Sequence, residues 1–102
     1  MAAVQLTGGP LPTIKRVASV GTTLQAFTLP TSGARQVSVT ADAACWVQFT
    51  GSNGDAVTST ACWPLASGST ATFALHMAAS GSILVAAQSG TANVAVCVEG
   101  AL

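Results

Sequence analysis

Few residues in this sequence carry side chains suited to catalysis. The single histidine, His76, lies in the apolar run Phe73-Ala74-Leu75-His76-Met77. No cysteine, histidine or carboxylate stands near it at a metal-ligand spacing, so it is read as an outward-facing strand residue. Asp42 and Asp55 both sit beside turn residues, where Asp typically caps backbone amides. They could pair for acid–base work, but no partner motif accompanies them. Asn53-Gly54-Asp55 is turn chemistry and lacks the ligand density of a calcium loop. There is no nucleophile elbow and no phosphate-binding loop. The sequence therefore offers no catalytic, cofactor-binding or metal-binding residue, and the chain is read as non-enzymatic.

The three cysteines, Cys45, Cys62 and Cys97, are odd in number and have no metal-knuckle spacing. Free cysteine packs as a small apolar residue. A Cys45–Cys62 disulfide is the alternative. A Cys-Trp pair occurs at Cys45-Trp46 and again at Cys62-Trp63, but the flanks differ and it is not a repeat.

The tryptophans say more. If Cys45, Val47 and Phe49 face a core, then Trp46 points to the opposite side of its strand. An outward Trp is an interface anchor or lies under the long 51–71 segment. Trp63 precedes Pro64 and is therefore extended or in a turn. It is an exposed contact or a plug at the end of the fold. Leu11, in the break Gly8-Gly9-Pro10-Leu11-Pro12, is the third interface candidate.

These residues need elements to position them, and the pattern of short runs supplies them. Runs with strand composition cover 14–20, 24–29, 35–41, 45–50, 72–77, 82–88 and 92–99, with Gly, Pro, Ser and Asn between them. Val37, Val39 and Ala41 alternate with Gln36, Ser38 and Thr40. Phe73, Leu75 and Met77 alternate with Thr72, Ala74 and His76. Val94, Val96 and Val98 alternate with Asn93, Ala95 and Cys97. Alternation of this kind marks half-buried antiparallel strands. The expected fold is all-β: an antiparallel β-sandwich or jelly roll of seven to eight short strands. Residues 1–13 are expected to form an extended N-terminal arm that packs on a neighbouring subunit, or else a first short strand of the domain itself. Residues 14–102 form the single domain. The 51–71 segment is either a functional loop or two irregular strands.

Composition narrows the partners. Of 102 residues, 6% are charged, against about 25% in a typical domain. Lys15, Arg16 and Arg35 balance Asp42, Asp55 and Glu99, giving a net charge of zero. Three basic residues cannot build a phosphate-binding stripe, which argues against nucleic acid. Apolar stretches such as Ile83 to Ala87 are too short to span a bilayer as a helix. The N-terminus has no signal-peptide pattern, so synthesis in the cytosol without export is expected. So little charge suits a surface covered by neighbours, in a homo-oligomer or a lattice.

The segment from Arg35 to Phe49 resembles the centre of small virion proteins of tailed bacteriophages. A strand is followed there by a Thr-Ala-rich turn and then a cysteine and aromatic strand. Trp63-Pro64-Leu65-Ala66-Ser67-Gly68-Ser69-Thr70-Ala71-Thr72-Phe73 is similar to their next segment. Ile83 to Gln88, Gly90-Thr91-Ala92 and Asn93 to Glu99 are similar to their final strands and turn. The likeness covers about two thirds of the chain, from Arg35 onward. It implies a structural role in a virion, made in the host cytoplasm, without catalytic residues or cofactors. The leading expectation is a capsid decoration or cement protein bound between major capsid protein subunits. Alternatives are a head fibre base, neck or tail component, or a carbohydrate-binding or adhesion module.

Overall fold

A computed structural model describes residues 2–7, 11–30, 34–79 and 81–99. The described residues form nine strands: β1 (Val4–Gln5), β2 (Thr13–Val20), β3 (Gln25–Thr28), β4 (Ala34–Ala41), β5 (Cys45–Gln48), β6 (Cys62–Leu65), β7 (Thr70–Ala79), β8 (Ser82–Ala87) and β9 (Ala92–Glu99). No helix occurs among the described residues. The strands form a five-stranded sheet, β1-β3-β8-β5-β6, and a four-stranded sheet, β2-β9-β4-β7. The two sheets pack face to face as a small β-sandwich.

The alternation expected from the sequence sets the core. Val37, Val39, Ala41, Val94, Val96 and Val98 are all buried on the inner face of the four-stranded sheet. Cys45, Val47, Phe27, Ile83 and Val85 meet them from the other sheet. Antiparallel register aligns these inward sets: Val37 stands opposite Val98, and Val39 opposite Val96. A one-residue slip of either strand would turn its own set to solvent, so the hydrophobic pattern itself holds the register.

β8 departs from alternation for a physical reason. Ile83, Leu84, Val85, Ala86 and Ala87 are all buried. Ile83, Val85 and Ala87 face the main core, while Leu84 and Ala86 join a second cluster with Leu24 and Ala26, against which Val57 packs. A strand covered on both faces reads as a continuous apolar run. The cover on its outer side is the chain's own 50–58 segment.

Gln48 holds that cover down. It is 1% exposed, and its Oε1 accepts the Thr58 backbone N–H at 3.0 Å. Its Nε2 donates to the Thr50 carbonyl. Farther along, the Ala26 N–H donates to Asn53 Oδ1 at 2.9 Å, and Gly54 and Asp55 exchange backbone bonds with Leu24. Gly51 adopts φ +110°, and a Cβ there would meet Gln48 Nε2 at 3.2 Å. A side chain at 51 would thus strain the turn and lift it from its anchor.

Of the two forms expected for the N-terminus, an extended arm or a first short strand, residues 4–5 take the strand. Val4 and Gln5 pair in parallel with Phe27 and Thr28. Leu6 is fully buried, and its N–H donates to the Thr28 carbonyl at 2.8 Å. An apolar side chain beside an open edge of β3 finds its burial within its own chain. The expected break at Gly8, Gly9 and Pro10 lies outside the described residues, as do Thr31, Ser32, Gly33 and Ser80 and the side chains of His76 and Met77.

Candidate interaction rim

Where the two sheets end side by side, β6 is the edge of one and β7 the edge of the other. In β6 the side chains alternate. Leu65 stands opposite Cys45 and Trp63 opposite Val47, so both lie on the inner side of their sheet. Leu65 is buried, but Trp63 is 60% exposed because no strand lies beyond it to close the sandwich. From β7, Phe73 stands opposite Val37 and therefore also turns inward. It meets Phe49, which follows β5, edge to face, with centroids 5.1 Å apart. Phe49 remains 42% exposed. The result is an aromatic rim of Phe49, Trp63 and Phe73 along the open side. Beside it runs a groove of about 750 Å³, whose lining includes Trp63, Leu65, Phe73, Ser69, Thr70 and Thr72.

The three interface candidates are not brought together. Trp63 lies on the rim. Trp46 lies on the outer side of the five-stranded sheet, half-buried, with Pro64 and Ala86 as its cross-strand neighbours. Leu11 is 77% exposed just before β2, the opposite edge of the four-stranded sheet from β7. Ile14 is exposed near it. Phe49 corrects the sequence expectation. It was assigned to the core by alternation, yet it sits at the rim. Alternation gives the facing of a side chain but not whether another strand lies beyond it.

The cysteines sort onto three faces. Cys45 is buried in the core. Cys62 stands opposite Gln48 on the outer side of the same sheet. Cys97 stands opposite Ser38 on the outer side of the other sheet. All three are free, and Cys45 and Cys62 point to opposite faces of one sheet, which no disulfide can bridge. The repeated Cys-Trp dipeptide thus presents its residues in opposite senses, Cys45 in and Trp46 out, Cys62 out and Trp63 in. Burial, with the Asp42 charge second, pushes the Cys45 thiol above its ordinary value.

Asp42 and Asp55 do separate structural work. Asp42 Oδ1 accepts the Asn93 backbone N–H at 2.8 Å, and Oδ2 accepts from Asn93 Nδ2 at 2.7 Å. Asn93 Oδ1 in turn accepts the Ser19 N–H at 3.1 Å. This holds Ser19, at φ +57°, in the bulge of β2 between Val17 and Val20. The Asn93 backbone bond, then the side-chain bond, hold the Asp42 carboxyl below its ordinary range. Asp55 Oδ2 instead accepts the Ser52 N–H at 2.9 Å within the loop over the other sheet. A second groove, of about 780 Å³, includes Arg16, Thr40, Asp42 and Asn93 in its lining. Both oxygens of its carboxylate are already bonded to Asn93. Among the described residues, no group of three His, Cys, Asp or Glu side chains is placed to hold a metal ion.

Comparison with protein families, with characterised proteins and with solved structures returned no match.

Proposed function

We propose that the protein is a non-enzymatic structural module that attaches to an assembled, multi-subunit protein surface through the Phe49, Trp63 and Phe73 rim. The observation that carries this reading is the exposure of Trp63, 60%, on a groove at the open side of the sandwich. Large aromatics in such positions are the residues that dominate binding energy at protein interfaces. With 6% charged residues and zero net charge, affinity must come mainly from apolar contact.

The more particular reading is a tailed-phage virion protein that decorates or cements the head between major capsid protein subunits. Two things support it. One is the resemblance running from Arg35 to Glu99. The other is the strand order, which we read as a jelly roll with β1 added at one edge; jelly rolls serve viral capsid and lectin domains alike. A neck, tail or head-fibre-base position would use the same rim.

A sugar-binding reading stands second. It is favoured by the grouping of Trp63 with Ser69, Thr70 and Thr72 along one groove. The test is co-sedimentation of purified protein with phage heads that lack it, at low and at high salt, beside a glycan-binding screen. Attachment that weakens little with salt is the expected result. Failure to bind at low salt, or loss at moderate salt, overturns the apolar-clamp mechanism. Saturable glycan binding without head binding makes the module an adhesin.

A further inference from the structure

We infer that Thr70–Ala74 of β7 pairs antiparallel with the same segment of a second copy, joining two four-stranded sheets into one across a two-fold axis. The inference rests on how the four sheet edges differ. An edge strand presents unpaired N–H and C=O groups, and soluble proteins blunt such edges with charge, proline, bulges or shortness. β1 has only two residues. β6 has four, with Pro64 among them, which removes a donor. β2 carries exposed Lys15 and Arg16 and is bulged at Ser19.

β7 has none of these devices between Thr70 and Ala74. Its register against β4 runs without interruption from Thr70↔Thr40 to Ala74↔Gln36. Beyond Ala74 the pairing shifts, with Ala79 opposite Ala34, so the regular template is these five residues. Their sequence, Thr-Ala-Thr-Phe-Ala, is rich in strand formers and uncharged. Alternate residues of such a strand aim both backbone groups away from β4.

The occupant follows from the chemistry of the segment. An uncharged strand is self-complementary: antiparallel pairing about a dyad sets no like charges against each other. The same dyad brings the two Phe73 side chains close together. It also brings the exposed surfaces of Phe49 and Trp63 from both copies toward one seam. Five paired residues alone would bury little, whereas a specific interface spans roughly 1,200 Å² or more in total. The rim supplies the additional apolar area, so the dimer is a form of the free protein, and attachment through the rim would replace it. β7 pairing does not depend on attachment to a particle, and the test needs the free protein only.

Sedimentation velocity of the full chain, from about 1 to about 200 µM, reads the equilibrium directly. The expected result is a shift from the 10.0 kDa monomer to a dimer over that range. Thr72→Lys places two cations close to the dyad, and dimerisation should weaken about tenfold or more. Thr72→Val, which keeps strand propensity without charge, should leave it intact. Thr72 is exposed, so both variants should fold, and circular dichroism verifies this. Hydrogen exchange of the peptide spanning Thr70–Ala74 should slow as concentration rises in the wild type and not in Thr72→Lys. A wild type that stays monomeric throughout overturns the inference. So does a dimer indifferent to Thr72→Lys, or one whose concentration-dependent protection falls on β2 instead.

Discussion

The rings of Phe49 and Phe73 meet edge to face, 5.1 Å between centroids and 79° between planes, one contributed from each sheet. They are the aromatic contact between the sheets on the side where β6 and β7 leave the sandwich open. Trp63 stands beside them with most of its surface in solvent. The ring pair thus bridges the sheets, while most of the Trp63 indole stays in solvent. In a double-mutant cycle, Phe49→Ala and Phe73→Ala should show a coupling of about 0.5–1.5 kcal/mol in denaturant unfolding. Trp63→Ala should lower stability by less than about 1 kcal/mol in the same measurement.

Leu6 should prove integral to the domain. Its side chain is fully buried among core residues, so Leu6→Ala should cost about 2–5 kcal/mol in chemical denaturation. An unfolding midpoint unchanged from wild type would mean that residues 4–6 leave the domain in solution.

Gln48 should be the anchor of the loop that covers β8. Gln48→Leu removes the acceptor of the part-buried bond from the Thr58 N–H, at a cost of about 0.5–1.5 kcal/mol. Hydrogen exchange should quicken across 50–58 before it does in β9. Uniform acceleration would show that the loop and sandwich open together.

Much of this architecture was legible in the chain, and the gaps have physical causes. Val37, Val39, Val94, Val96 and Val98 were assignable because half-buried strands imprint a period of two. β6 was legible only within the choice of a loop or two irregular strands over 51–71, since Cys62-Trp63-Pro64-Leu65 is four residues with a proline. It takes the edge position that tolerates Pro64. Leu6 was hidden because a two-residue strand has no period to read. At the rim, Trp63 was legible as a contact, while Phe49 and Phe73 were read as core. Their inward facing was correct, but only the sheet order reveals that β6 and β7 are edges. The separation of Trp46 from Trp63 likewise depends on the β5–β6 register.

The Asp42–Asn93 clip should give stability a dependence on acid. The folded-state carboxyl lies below its ordinary value of 3.8. Its contribution is therefore present above that value and lost as pH falls through the lower, folded one. Asn93→Ala should remove that part of the acid loss and leave the profile above pH 5 parallel to wild type. Identical acid limbs for the two proteins would assign the loss to other carboxylates.

Cys45 should resist thiol reagents in the native state and react on unfolding, while Cys62 and Cys97 react first. Its folded thiol is raised above 9.0, so its contribution is present below that pH and fades as pH climbs through the folded value. Mass spectrometry after mild oxidation should find no Cys45–Cys62 bridge. Rapid native labelling of Cys45 would contradict the assigned facing of β5.

The most direct measurement compares wild type, Trp63→Ala and Trp46→Ala for binding to phage heads that lack the protein. Trp63→Ala should lose about 2 kcal/mol or more of binding free energy, some thirtyfold in affinity, while its unfolding curve barely moves. Trp46→Ala, on the opposite side of its sheet, should bind nearly as wild type. If Trp63→Ala binds as tightly as wild type, or if none of the three binds at low salt, the rim is not an attachment surface.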